Sequence, residues 1–338
     1  MAKTKQGALT AKGDSPTRTC VVRKCNDGLW LNFNPQFHGW VTGDGSIQKR
    51  RVFFGRSMRP GKPIGEWAVN GQFCDVHCLK PLKGGLDIAV MNPNGVRRFL
   101  LSARGNPHGG FGYGGLNVHV HTPLIERIGE TAAVAAARKW AQEWILCLPM
   151  EYDVVECERI SRIDYAMDVL VEKGGPDDYG PDVHEQLISK LQNREVFWET
   201  GWAIGLRKAD KDGSKKDRLE LVIVSYDKLR ERWDKGGLEG LQEYVESLNE
   251  PSLVVHRDGR VTDVDGKEVR VWRVEFRFHR SFLHGEGIAD ASEAIVALPA
   301  LVAAACRATR LHQRCTTGNV FRTNPLTRIW SLVQKTVT

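Results

Sequence analysis

The 338-residue chain has no apolar stretch long enough to cross a membrane. Its longest uncharged apolar run, 294–306, is interrupted by Pro299 and falls short of the ~20 residues a span requires. Met1-Ala2-Lys3-Thr4-Lys5-Gln6 is followed by no apolar segment, so no secretory signal is read there. A disulfide framework is also lacking, because eight cysteines are spread through a long chain with no export signal. Cys20-x4-Cys25 and Cys74-Asp75-Val76-His77-Cys78 do not have the two-residue knuckles of most zinc sites, so buried free thiols are favoured over structural zinc. Apolar residues at 41% and charged residues at 26% exclude a disordered or collagen-like chain. A soluble protein kept inside a cell is the expectation.

Acidic residues are scarce in two places. Residues 1–24 carry Lys3, Lys5, Lys12, Arg18, Arg23 and Lys24 against Asp14 alone. Lys49, Arg50, Arg51, Arg56, Arg59 and Lys62 form a second cluster containing no acid. Such patches attract polyphosphate through counterion release without reading sequence. A solvated surface with a disordered tail explains the charge equally well.

From Leu29 to Val120, short apolar runs alternate with Gly, Asn and Pro turns, which predicts antiparallel strands and hairpins. The glycine-rich stretch 105–115 lacks the strand-then-helix context of a phosphate-binding fingerprint and reads as a connecting loop. Helices are predicted over 131–148, 181–192, 238–248 and 293–312. Strands are predicted over 160–171, 218–228, 260–264 and 268–279, the last two joined by an Asp265-Gly266 turn. This order gives an α+β fold, with a mainly antiparallel sheet and helices packed on one face.

Polar groups with chemical potential lie on strands whose other face is apolar. Arg162, Asp164 and Asp168 share one face of their strand, and Arg273, Glu275, Arg277 and His279 share a face of another. Tyr226 and Lys228 lie together on a third. Ordinary salt bridges on a solvated sheet face are the competing explanation. His119 and His121, two apart on the strand 116–121, would converge on one side as two metal ligands do, although two structural histidines are the commoner case. With Asp164 and Glu275 they would complete an oxygen-and-nitrogen site for Mg2+ or Mn2+. A cation beside a tyrosine and a lysine suits phosphodiester transesterification, because phenoxide is a good leaving group and the nick can be resealed.

Three segments, in this order, resemble a known family. Ser161-Arg162-Ile163-Asp164-Tyr165-Ala166-Met167-Asp168 is similar to the T/S-R-hydrophobic-D-x-A-x-D strand of rolling-circle replication initiators of small plasmids and filamentous phages. Ser225-Tyr226-Asp227-Lys228-Leu229-Arg230-Glu231 resembles their Y-D/N-K-x-x-E motif, and Val271-Trp272-Arg273-Val274-Glu275-Phe276 their W-R-V-E strand. Gly205-Leu206-Arg207 matches G-x-R more loosely. Two departures stand out: Val224 occupies a position that is usually arginine, and the interval from Tyr226 to Arg273 is long.

The resemblance implies a Rep/relaxase-like nicking domain over 116–285, with Tyr226 as nucleophile and Lys228 as its companion. It makes Asp164 and Glu275 metal ligands, and gives Arg162 and Arg273 phosphate contact or carboxylate orientation. His119 and His121 rest on spacing alone. Arg207, and Arg56, Arg59 and Lys62 of the basic cluster, would contact DNA. Around this domain the expected layout is a disordered basic tail over 1–24, a β-rich DNA-contacting region over 25–115 and a helical region over 286–338. The implied activity is metal-dependent nicking of supercoiled origin DNA in the cytoplasm of a bacterial host. It leaves a 5′-phosphotyrosine and a free 3′-hydroxyl primer, and later rejoins the displaced strand. Origin DNA, a host helicase and a host polymerase are the implied partners, and a homodimer stays open. A conjugative relaxase and a non-cutting DNA-binding regulator are the alternatives. Tyr113, Tyr152, Tyr165, Tyr179 and Tyr244 are candidates for a second nucleophile, with Tyr165 expected in the core.

Overall fold

Strands with one apolar face satisfy their backbone polar groups in a ladder and bury that face against helices. The computed structural model shows this arrangement. It describes residues 19–33, 63–69, 72–82, 85–91, 97–104, 116–146, 158–175, 178, 187–189, 193–197, 201–208, 218–248, 250, 252–312 and 326–337. Strands β1 (Cys20–Phe33), β2 (Pro63–Val69), β3 (Gln72–Leu82), β4 (Gly85–Met91), β5 (Arg97–Arg104) and β6 (Leu116–His121) lead into helices α1 (Thr122–Ile128) and α2 (Glu130–Leu146). Next come β7 (Glu158–Glu172), β8 (Leu187–Ser189), β9 (Asn193–Phe197), β10 (Gly201–Lys208), β11 (Arg218–Asp227) and helix α3 (Lys228–Glu246). The chain continues with β12 (Val254–Val255), β13 (Val261–Thr262), β14 (Val269–His279), α4 (Arg280–Gly285), α5 (Ala291–Ala308), β15 (Thr309–Leu311) and α6 (Arg328–Val337).

Eleven strands form one antiparallel sheet in the order β2-β3-β4-β5-β6-β1-β7-β14-β11-β10-β9. β12 pairs with β13, and β8 with β15, in two small ladders. The fold class is α+β, as the element order predicts. The division at residue 115, however, marks no break in the sheet. β1 lies between β6 and β7, so the N-terminal region supplies a central strand of the sheet to which 116–285 belongs.

On one face, Ile163, Met167 and Val169 of β7 and Trp272, Val274, Phe276 and Phe278 of β14 join the main core. Ala133 and Ala137 of α2, Leu298 and Val302 of α5, and Ile329 and Trp330 of α6 close it from the other side. On the opposite face, Leu170, Val22 and Val271 meet Leu229, Leu241, Tyr244 and Val245 of α3. α3 packs on this second face, and Glu126 of α1 reaches it at Arg23. The polar residues on that face are not solvated: Asp164, Asp168, Arg273 and Glu275 are each 3% exposed or less. Ordinary surface salt bridges therefore do not account for them.

Several elements differ from the sequence expectation. The tail predicted over 1–24 gives way to strand at Cys20. The helix predicted over 181–192 is not present at 187–189, where strand β8 pairs Leu187, Ile188 and Ser189 with β15; a partner more than 100 residues away overrides the local pattern. α3 begins ten residues before the predicted helix, because Asp227 caps it by accepting a hydrogen bond from Arg230 N at 3.1 Å. Gly237, at φ 58°, breaks the helical dihedrals inside α3 and masks the continuity. Asp227→Ala is expected to cost about 1 kcal/mol of unfolding free energy, read from the urea midpoint.

α5 starts earlier than predicted, on a capping box. Asp290 accepts from Glu293 N at 2.9 Å, and the Glu293 carboxylate accepts from Ala289 N at 2.8 Å and Asp290 N at 3.4 Å. The helix passes through Pro299 and hands over to β15 at Thr309. By length and composition it would suit a membrane span, which the sequence reading did not anticipate. Its buried stripe of Ala294, Leu298, Leu301, Val302 and Ala305 makes it a core helix instead.

Candidate active site

The register of three neighbouring strands sets the site. Asp168 of β7 pairs with Arg273 of β14, which pairs with Tyr226 of β11. One rung along, Ala166 pairs with Glu275 and Glu275 with Val224; the next rung pairs Asp164 with Arg277. Directly paired residues point to the same face, so Tyr226, Arg273, Glu275, Asp168 and Asp164 all project from one side of the sheet.

Tyr226 is the penultimate residue of β11, and Lys228 is the first residue of α3 rather than a strand residue. The turn nevertheless brings them together: Lys228 Nζ donates to the Tyr226 hydroxyl at 3.4 Å. Glu231, one turn into α3, holds the ammonium at 2.8 Å. Two further polar members of the 225–231 segment thus have local tasks, Asp227 capping α3 and Glu231 anchoring the lysine. Burial, with Arg273 adding repulsion, lowers Lys228 to about 8. Burial raises the Tyr226 phenol above its ordinary value; Arg273 works against the rise, and Glu275 and Asp27 add to it.

Arg273 is the centre of a buried network. Its Nε and one Nη donate to the two oxygens of Asp168 at 2.7 and 2.8 Å, and its other Nη donates to Asp27 at 2.8 Å. The Tyr244 hydroxyl donates to Asp168 at 2.8 Å. Burial alone would raise Asp168, but the Arg273 fork outweighs it and keeps the carboxyl below its ordinary value. Asp27 was not foreseen. It is the extra residue of a β-bulge where β1 shifts register against β7 between Asn26 and Gly28, and the bulge turns its side chain towards Arg273. Asn26-Asp27-Gly28 inside an alternating strand was the available signal.

Asp164 and Glu275 lie against each other, each also gripped by an arginine on its own strand. Arg162 Nε donates to Asp164 at 2.7 Å while its Nη pairs with the other oxygen. Arg277 donates to both oxygens of Glu275 at 2.7 and 3.1 Å. Burial first, then the charge of Glu275, raises Asp164 well above the usual carboxylate range. Burial works against the Glu275 charge too, but Arg277 holds that group below its usual value. From strand spacing, Asp164 and Tyr226 stand on the order of 16 Å apart at the backbone, so Glu275 and Asp27 are nearer to the phenol than Asp164 is.

The two histidines do not join the carboxylates. Trp30 of β1 pairs with His119 on one side and Arg162 on the other. Its indole stacks on the His119 ring at 3.9 Å and 13°, with the Arg162 guanidinium 4.0 Å from it. The His119 and His121 rings lie 3.9 Å apart. Gly28 leaves room for this column, since a Cβ there would meet the Trp30 ring at 2.8 Å and His119 Nε2 at 3.0 Å. Among the described residues, no group of three or more His, Cys, Asp and Glu side chains is placed to hold a metal ion. The four-ligand set expected from the sequence is therefore corrected to a carboxylate pair with an aromatic column beside it. That pair, two abutting buried oxygen donors, is the part whose chemistry fits a hard divalent cation.

A rolling circle replication initiator protein from Geobacillus stearothermophilus is similar in structure. The likeness covers 94% of this chain and 96% of the other, at 12% identity and a TM-score of 0.38. No protein-family model and no curated protein matches the sequence.

Of the arginines assigned to DNA, Arg162 is partly exposed at 23% of its side chain, whereas Arg273 is 1% exposed and orients carboxylates instead. Arg207 lies on β10 in register with Leu219. Arg56, Arg59 and Lys62 fall outside the described residues, as do Tyr113, Tyr152 and Tyr179. Tyr244 is 3% exposed and committed to Asp168, which removes it as a second nucleophile. Tyr165 packs against the main core, as expected. Cys20 and Cys25 are free thiols.

Proposed function

We propose that the protein is a rolling-circle replication initiator that nicks one strand of origin DNA through Tyr226. One observation carries this: the segments 161–168 and 271–276 fall on β7 and β14, and 225–231 spans the end of β11 and the start of α3, so that the three strands are neighbours in the sheet with Asp168, Arg273 and Tyr226 on a single rung. A half-buried phenol, a lysine of lowered basicity and compensated acids around one face suit nucleophilic attack on a phosphodiester. Neutral Lys228 takes the phenolic proton, the tyrosyl oxygen bonds to phosphorus, and the P–O3′ bond breaks. The 3′ oxygen takes a proton from water and becomes the primer terminus, and reversal reseals the strand. Asp164 and Glu275 would hold Mg2+ or Mn2+, which would stabilise charge on the phosphate oxygens. A host helicase and polymerase in a bacterial cytoplasm would complete replication.

The test incubates the full chain with a random-sequence pool of single-stranded oligonucleotides and Mg2+, then maps DNA-bearing peptides by mass spectrometry. A 5′-phosphotyrosyl adduct at Tyr226 is the expected result. Binding with no adduct would leave a non-cutting regulator in its place. Chelation with EDTA is expected to slow adduct formation at least ~100-fold, with recovery on adding Mn2+ or Mg2+. The rate should climb with pH through about 8, because the protonated ammonium cannot accept the phenolic proton and the neutral amine can. Lys228→Met should flatten that climb, and a pH–rate profile of both proteins checks it.

A further inference from the structure

We propose that Arg162 is exchanged for a divalent cation at the pair of Asp164 and Glu275 and, once released, takes a phosphate of the single strand, an inference that rests on the nicking function above. Loading of the cation thereby arms the protein for DNA. All four oxygens of the acid pair are engaged by guanidiniums. Arg162 forks across Asp164 through Nε at 2.7 Å and one Nη, and Arg277 forks across Glu275 at 2.7 and 3.1 Å. The two carboxyl side chains are 2% and 4% exposed, whereas Arg162 and Arg277 are 23% and 32% exposed, so the arginines lie on the solvent side. A dication reaching these oxygens meets two fixed positive charges, and one fork must open before the acids can turn to it.

Arg162 is the fork that opens. Its Nη also stands 3.9 Å from Glu275, so it reaches both acids, as a shared cation would. It also has a second seat, because its guanidinium lies 4.0 Å from the centre of the Trp30 ring. That ring is held from its other side: His119 stacks on it at 3.9 Å and 13°, and Gly28 admits it where a Cβ would come within 2.8 Å. An arginine that lets go of Asp164 therefore keeps a cation–π contact, while Arg277 is left holding Glu275. Arg162 shares the sheet face of Asp164, Glu275 and Tyr226, and its freed fork of N–H donors matches two oxygens of a phosphate.

The exchange is read on the full chain with Mn2+ and a random-sequence pool of single-stranded oligonucleotides, by two measurements that need no cut. In the first, mass spectrometry follows modification of arginines by phenylglyoxal. Saturating Mn2+ should raise modification of Arg162 at least ~threefold while Arg277 stays within about twofold, and oligonucleotide added after Mn2+ should reverse the rise. In the second, electron paramagnetic resonance gives the Mn2+ affinity without DNA. Arg162→Gln should bind Mn2+ about tenfold more tightly than the unaltered chain, yet bind the oligonucleotides at least ~threefold more weakly with Mn2+ present. Unchanged reactivity of Arg162 overturns the proposal, and this first measurement decides even where the variant does not fold. In a folded variant, Mn2+ affinity equal to or below that of the unaltered chain overturns it too, since an arginine that only orients Asp164 would give that result. Oligonucleotide binding left intact by the variant, or an unaltered chain that binds no Mn2+, does the same. Exchange with no Tyr226 adduct would instead sink the nicking function and leave the exchange standing.

Discussion

Tyr226→Phe is expected to lower covalent adduct formation by at least ~10^4-fold while leaving single-strand binding within about threefold. The only atom removed is the nucleophilic oxygen, and the ring keeps its place at the end of β11. The hydroxyl has one described hydrogen bond, the 3.4 Å approach of Lys228, so the folded state should lose less than about 1 kcal/mol. Denaturing-gel detection of the adduct and a gel shift on the same preparation separate the two effects. An adduct formed at the wild-type rate would remove Tyr226 from the chemistry.

Arg273→Met should destabilise the fold by ~3–5 kcal/mol, seen as a lower urea midpoint with the slope unchanged. The substitution keeps the volume but leaves Asp168, which is fully buried, and Asp27 without their shared cation. Arg273→Lys should recover only part of the loss, because an ammonium cannot fork across both oxygens of Asp168 while reaching Asp27. A cost below about 1 kcal/mol for the Met variant would show that the two acids are neutralised by another route.

The face assignments on β7 and β14 were readable from period-two alternation, because one side is apolar from Ile163 to Val171 and from Trp272 to Phe278. Tyr226 and Lys228 were found together for a partly mistaken reason. Strand alternation through residue 228 predicts a shared face, but a helix begins there, and the two meet because the turn at Asp227 folds the lysine back. The carboxylate pair was legible; the separation of His119 and His121 from it was not. That separation depends on Trp30, whose place between β6 and β7 follows from a strand order no local pattern encodes. Asp27 was hidden likewise, since a bulge is a property of two strands in register. The β8–β15 pairing shows the same limit, where a short segment takes its conformation from a distant partner.

The place of β1 has a consequence for dissection of the chain. A fragment beginning after residue 33 would present β6 and β7 with raw ladder edges in the middle of the molecule and would lack the acid that steadies Arg273. The first thirty residues cannot therefore be exchanged as a portable recognition module. During synthesis the ribosome must also finish β7 before the second flank of β1 can find its partner, which ties maturation of the site to late, long-range docking.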